Sequence, residues 1–332
     1  MEFNAILSDL KKKNYKPVYF LTGEEPYFID VISDYVEKNV LDENEKEFNQ
    51  TVLYGRDTDV QTIIAEAKRY PMMSERQVLI VKEAQNVRNI EDLEAYVEKP
   101  LDTTLLLVCY KYKTLDKRKS FGKTVAKHGV LFESEKLRDY KIPEWVSTYL
   151  KEKNYSIGPK ASQLLAEFLG SDLSKISNEL DKLMINLPPG TEITAQHIQD
   201  NIGISKDYNT FELSDALSKR DVVRANRIVN YFASNSKDHP MPVTIAALYN
   251  YFVKVLRYHG LENKAKDSVA RALGVNPFFV NDYAAAARNY PVGKLKAIFS
   301  FLREYDLRSK GVDNASAEDG DLMKEMVWKI LH

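Results

Sequence analysis

"PVYFLTGEEPYFID", residues 17–30, decides how the first third of the chain is read. Val18 to Leu21 form a short apolar run of strand-forming residues, and Gly23 follows as a turn. From Phe28 the spacing changes: Phe28, Ile32, Tyr35, Val36 and Val40 recur at helical intervals. The segment is therefore a strand, a tight turn and an amphipathic helix. That is where a phosphate-binding loop stands in nucleotide-hydrolysing α/β proteins. Such a loop needs G-x-x-x-x-G-K-[ST], with glycines that let backbone N–H groups cradle phosphate, a lysine for charge and a hydroxyl for Mg²⁺. Here Gly23 is present but the lysine and the hydroxyl residue are not. Glu24 and Glu25 place negative charge where a triphosphate would lie. The expectation is an α/β unit unable to hold ATP in the usual way.

Outward from this segment the two periods keep alternating. Strands are expected at "FNQTVLYG" (48–55), "QVLIVK" (77–82), "TTLLLVCY" (103–110) and "VLFESE" (130–135). Helices are expected at "DTDVQTIIAEAKRY" (57–70), capped by Asp57 or Thr58 and stopped by Pro71, at "NIEDLEAYVEK" (89–99) and at "DKRKSFGKTVAKHG" (116–129). Strands alternating with helices argue for a mostly parallel sheet covered on both faces. From about Asp139 the strand signal stops, and short amphipathic helices punctuated by Gly and Pro follow, with Pro159 placed to start one. From about Thr210 longer periodic helices run on. The fold class expected is an α/β N-terminal domain over residues 1–138, a small helical domain over 139–208 and a helical domain over 209–332.

Composition narrows the function. A length of 332 residues suggests two or three domains. The longest apolar run, Leu105–Tyr110, is far short of the roughly 18 residues a membrane helix needs. The opening "MEFNAILSDLKKK" lacks signal-peptide order, and the single cysteine, Cys109, excludes disulfide scaffolding. A cytoplasmic protein with no membrane partner is expected. A net charge of −1 lacks the basic excess of a protein that grips DNA by itself.

Catalytic signatures are missing. "SFGKT" (120–124) imitates part of a phosphate loop, but it lacks the upstream glycine and falls inside a helix. "VLIVKEAQ" ends in Lys82-Glu83 rather than in the paired carboxylates that hold Mg²⁺. The five histidines have no metal-ligand spacing, and there is no G-x-S-x-G or Cys/His constellation. No catalytic residue, metal or cofactor is expected.

Three features stand out. "YKYKTLDKRKSFGKT" (110–124) carries Lys117, Arg118, Lys119 and Lys123, opposed only by Asp116, and reads as a solvated helix start or as a contact with a subunit or nucleic acid. "YNYFVKVLRYHG" (249–260) holds an aromatic stripe that reads as core. "RYPMMSERQVLIV" (69–81) sets Met72 and Met73 side by side in a connection. Adjacent residues do not share one face of a helix or strand, so at least one should face solvent if this is a loop. Periodicity alone leans toward a lid on the local core; methionine is equally a residue of adaptable binding surfaces.

Six segments in order carry a resemblance: "PVYFLTGEEPYFID", "PMMSERQVLIVKEA", "TLDKRKSFGKTVAKHG", "GSDLSKISNELDKLMI", "FELSDALSKRDVVRA" and "LGVNPFFVNDYAAAAR". Across essentially the whole chain this layout resembles the delta-subunit family of bacterial DNA polymerase III clamp loaders. The resemblance implies an AAA+-type first domain without ATPase activity, a small lid-like helical domain and a helical collar. It implies assembly with delta-prime and gamma/tau subunits, binding and opening of the ring-shaped sliding clamp (beta), and loading onto primer-template DNA. Any polymerase label would come by association. The family's apolar clamp-binding pair falls on Met72 and Met73, with Ser74, Glu75 and Arg76 as polar flank. The family often has Leu-Phe there, so this chain departs in residue type. The competing reading is a degenerate ATPase-like enzyme or a stand-alone DNA-binding protein.

Overall fold

A computed structural model describes residues 2–203, 208–314 and 316–332. The chain forms two compact units, Met1–Leu137 and Arg138–His332. Residues 204–207, which fall just before the expected start of the third domain, lie outside the described residues.

The first unit is a five-stranded parallel sheet in the order β2-β3-β4-β1-β5. Its strands are β1 (Val18–Gly23), β2 (Gln50–Tyr54), β3 (Gln77–Lys82), β4 (Thr104–Lys111) and β5 (Val130–Ser134). Side chains alternate between its faces. Val18, Phe20, Leu79, Val81, Leu106 and Val108 pack on one face against α4 (Val60–Ala67), α5 (Glu94–Glu98) and α6 (Ser120–His128). Tyr19, Leu21, Val78, Ile80, Leu105, Leu107 and Cys109 pack on the other against α1 (Phe3–Lys11) and α2 (Pro26–Asn39). Burial on both faces is why β1, β3 and β4 read as continuous apolar runs rather than alternating ones.

Several local expectations need correction. The cap of α4 is Asp59, whose carboxylate accepts from Thr62 N at 2.8 Å, not Asp57 or Thr58. The helix stops at Ala67, before Pro71 is reached. Carbonyls at and just past its end are captured by side chains: Gln77 of β3 donates to Arg69 O (2.6 Å), and Thr104 of β4 and Tyr96 of α5 donate to Ala67 O (2.9 and 3.2 Å). The segment 89–99 begins as a 3-10 turn, Ile90–Leu93, before α5. The helix expected from Asp116 starts only at Ser120, because the Asp116 carboxylate holds Arg118 N (3.0 Å) in a turn. A helix not anticipated, α3 (Glu43–Asn49), precedes β2 and is started by an Asp42/Glu45 capping box.

The second unit is helical, from α7 (Ile142–Glu152), α8 (Pro159–Leu169), α9 (Leu173–Ile185) and α10 (Ala195–Ile202) through α11 (Thr210–Ser218), α12 (Val222–Ser234), α13 (Met241–His259), α14 (Lys266–Leu273), α15 (Val280–Asn289), α16 (Val292–Ser309) and α17 (Asp319–Leu331). Pro159 opens α8. The sequence showed no strand here, yet β6 (Ser156–Ile157) and β7 (Glu192–Ile193) pair as a two-residue parallel ladder. The stripe in α13 lies partly in the core: Phe252 and Val255 are buried, while Tyr249 stays exposed. Among the described residues no helix is long and apolar enough to cross a membrane.

Candidate functional site

Three connections that enter β1, β2 and β3 lie at the amino edge of the parallel sheet. The third carries Met72 and Met73. Both side chains are exposed, Met72 at 55% and Met73 at 104%, so neither lids the core. The loop that carries them is nonetheless fixed. Asn49, the last residue of α3, is only 4% exposed. Its Oδ1 accepts from Met72 N (2.7 Å) and its Nδ2 donates to Met72 O (2.9 Å). The side-chain amide thus grips both backbone polar groups of one residue, as a neighbouring strand would. Met73 has φ +52°, the left-handed region that non-glycine residues enter at a cost of roughly 1 kcal/mol.

The polar flank is tied down as well. Ser74 Oγ donates to Arg76 O at 3.1 Å and accepts from Arg76 N at 3.3 Å. When the Ser74 hydroxyl turns its one proton to the Glu45 carboxylate instead of Arg76 O, it holds that carboxyl, together with Asp42 N, below its ordinary range. The Arg76 guanidinium lies over the Tyr15 ring, 4.9 Å from its centre. Glu75 is exposed. Tyr70, two residues before Met72, is exposed as well, and so is Phe48, which precedes Asn49 in α3. Met72, Met73 and Arg76 are among the residues that the sequence singles out; Asn49, which holds Met72, and Glu45, which lies against Ser74, are not.

At the opposite, carboxyl edge of the sheet lies the position of the phosphate loop, about 20 Å away for a six-residue strand. Only Glu24 and Glu25 separate β1 from α2, where a phosphate loop would need the span of eight residues its motif occupies. Gly23 N donates to Lys113 O (2.8 Å), and the Thr22 hydroxyl donates to the same oxygen (2.7 Å). Gly23 has φ +130°, and a Cβ on it would sit 2.1 Å from Ser134 O. Glu25 is buried, and its carboxylate accepts from Tyr27 N (3.1 Å) at the start of α2. The helix N-terminus that would attract phosphate faces a carboxylate of its own chain. Glu24 is exposed beside it.

The basic segment follows β4 at this same edge. Lys117 pairs with Glu133, and Arg118 binds Asp116 through both carboxylate oxygens (3.0 and 3.1 Å). Arg118 is the main reason the Asp116 carboxyl is lowered to about 2. Lys119 and Lys123 are exposed and form no ion pair among the described residues. The glycine of the "GKT" decoy is a packing residue: a Cβ on Gly122 would lie 2.3 Å from Asp116 O. Among the described residues no His, Cys, Asp and Glu side chains cluster as a metal site.

Residues 19–135 match the family described as DNA polymerase III, delta subunit, and residues 207–317 match the C-terminal domain of the same subunit. Between them the two matches cover more than half of the chain. The chain belongs to the DNA polymerase III delta subunit family. Within it, the chain is 27% identical to DNA polymerase III subunit delta of Bacillus subtilis over 92% of this chain and 91% of that one. It is 23% identical to the probable DNA polymerase III subunit delta of Aquifex aeolicus, over 88% and 86% respectively. Its fold is that of the Bacillus subtilis DNA clamp loader delta protein, with a TM-score of 0.55 at 24% identity over 99% of each chain. As a delta-family chain, it carries the tip between α4 and β3 and the closed loop between β1 and α2, both inside the first family match.

Proposed function

We propose that this chain is the clamp-binding, non-hydrolysing subunit of a clamp loader. The observation that carries the reading is the tip: two exposed apolar side chains on a backbone that Asn49 holds in place. Burying two methionines in a partner's pocket contributes roughly 3–6 kcal/mol gross, nearer the lower figure because Met72 is already half-covered. The cost of association reduces the net affinity. Ser74, Glu75 and Arg76 form the polar rim of such a contact. The tip docks on the sliding clamp and opens one of its interfaces or holds it open.

The carboxyl edge supports a division of labour. With Glu25 seated at the start of α2 and only two residues in the β1–α2 turn, the chain leaves ATP hydrolysis to its delta-prime and gamma/tau partners. Lys119 and Lys123, with Lys117 and Arg118 beside them, offer a contact to another subunit or to primer-template DNA within the assembly. The second unit supplies a lid-like portion up to about residue 208 and a collar beyond it, and the assembly works in the cytoplasm. The test is direct binding of the isolated full chain to its own sliding clamp, with ATP turnover measured on the same sample. Binding without turnover is the expected result. Robust turnover would favour the ATPase-like enzyme instead.

A further inference from the structure

The chain contains seven methionines and one cysteine, and the structure separates them sharply by exposure. Met241, Met323 and Met326 are at most 1% exposed, and Met184 is half-buried. Cys109 is buried in β4, and burial pushes its thiol up to about 12, so almost no thiolate exists at neutral pH. Among the described residues, Met72 and Met73 are the only exposed methionines. Both sit on the tip.

We propose that Met72 and Met73 are the preferred oxidation sites of this chain, and that their conversion to methionine sulfoxide reversibly switches off clamp binding. The inference rests on the clamp-binding reading above. In the oxidation step a thioether lone pair attacks one oxygen of hydrogen peroxide. The O–O bond breaks and an S–O bond forms. Sulfur loses two electrons, and the peroxide is reduced to water. Thioether oxidation requires approach of the oxidant to sulfur, and exposure governs that approach. A sulfoxide is polar and strongly hydrated, so a side chain that docks by shedding water loses that advantage once oxidised. The loop itself does not depend on either sulfur, because Asn49 holds the Met72 backbone and not its side chain. Oxidation therefore removes the apolar contact and leaves the fold intact. Reduction by a methionine sulfoxide reductase restores it. A Leu-Phe pair at these positions would have no sulfur and no such switch.

The experiment treats the full chain with graded hydrogen peroxide, maps each methionine by peptide mass spectrometry, and measures affinity for the chain's own sliding clamp and thermal unfolding on the same samples. Sulfoxide should accumulate at residues 72 and 73 before 184, 241, 323 and 326. Affinity should fall about tenfold or more while Tm stays constant, and return after reductase treatment. The variant Met72→Leu plus Met73→Leu, whatever its own starting affinity, should show the same affinity before and after peroxide. Earlier oxidation of Met184, or an affinity loss that persists in the leucine variant, would overturn the inference. The same is true if full sulfoxidation at 72 and 73 leaves binding unchanged while Met72→Ala plus Met73→Ala weakens it. Should the alanine pair leave binding unchanged as well, the clamp-binding reading itself fails, and this inference with it.

Discussion

Replacing Asn49 by alanine separates the holding of the tip from the tip itself. The side chain makes three hydrogen bonds: to Met72 O (2.9 Å), from Met72 N (2.7 Å) and to Glu45 O (3.2 Å). At about 1 kcal/mol net each, their sum is about 3 kcal/mol. Met72 is half-exposed, however, so water replaces part of what Asn49 supplied. A loss of about 1–2 kcal/mol in stability of the first unit follows, which corresponds to a fall in Tm of a few degrees. The affinity argument is independent. Once released, one or two backbone residues must be ordered again when the clamp binds, at about 1–2 kcal/mol each. That totals about 1–4 kcal/mol, a loss of affinity between about fivefold and several hundredfold. Asn49→Asp keeps the acceptor for Met72 N but sets a buried carboxylate oxygen against Met72 O and Glu45 O, so it should be at least as damaging as alanine. Clamp affinity by calorimetry, beside thermal unfolding of the same preparations, decides the matter. A variant with lowered Tm and wild-type affinity would refute the reasoning, because Asn49 would then support the fold without ordering the tip.

Met73→Gly should act in the opposite sense on the two readouts: the left-handed φ no longer carries a side-chain penalty, so unfolding stability holds or rises by up to about 1 kcal/mol, while clamp affinity drops. Gly23→Ala places a methyl group against the Ser134 backbone at a φ that alanine rarely adopts, and should destabilise the first unit by about 3 kcal/mol or more in denaturant unfolding. Cys109 should resist a thiol reagent at pH 8 in the native chain and react once unfolded. Because its folded pKa lies above the unfolded one, its contribution to stability is complete below about pH 8.5 and fades as pH rises toward 12.

All five strands of the first unit were legible in the sequence, β1, β3 and β4 because a strand buried on both faces writes itself as a continuous apolar run such as "LLLVCY". The helix α3 was not. In "ENEKEFN" the one large apolar residue, Phe48, is exposed, so no apolar period exists to be read. The same segment then merged with β2 in the expected strand from Phe48, hiding Asn49. Its grip on Met72 spans 23 residues and leaves no local trace. The closure of Gly23 by Lys113 is likewise a contact between distant segments. What could be read there was the negative result, a strand-turn-helix without lysine or hydroxyl. Met72 and Met73 could be recognised as unusual, but periodicity favoured a core lid. The exposed pair goes with a positive φ at Met73 and a backbone grip from Asn49, and neither has a signature in the residues around the pair.

The central claim is that the Met72-Met73 tip is what the sliding clamp recognises. Its most direct test is the affinity of the full chain for its own clamp before and after Met72→Ala plus Met73→Ala, with thermal unfolding as control. The account predicts an affinity loss of about tenfold or more with Tm nearly unchanged, since both side chains face solvent. Unchanged affinity per folded molecule, together with a collapse of Tm, would contradict it.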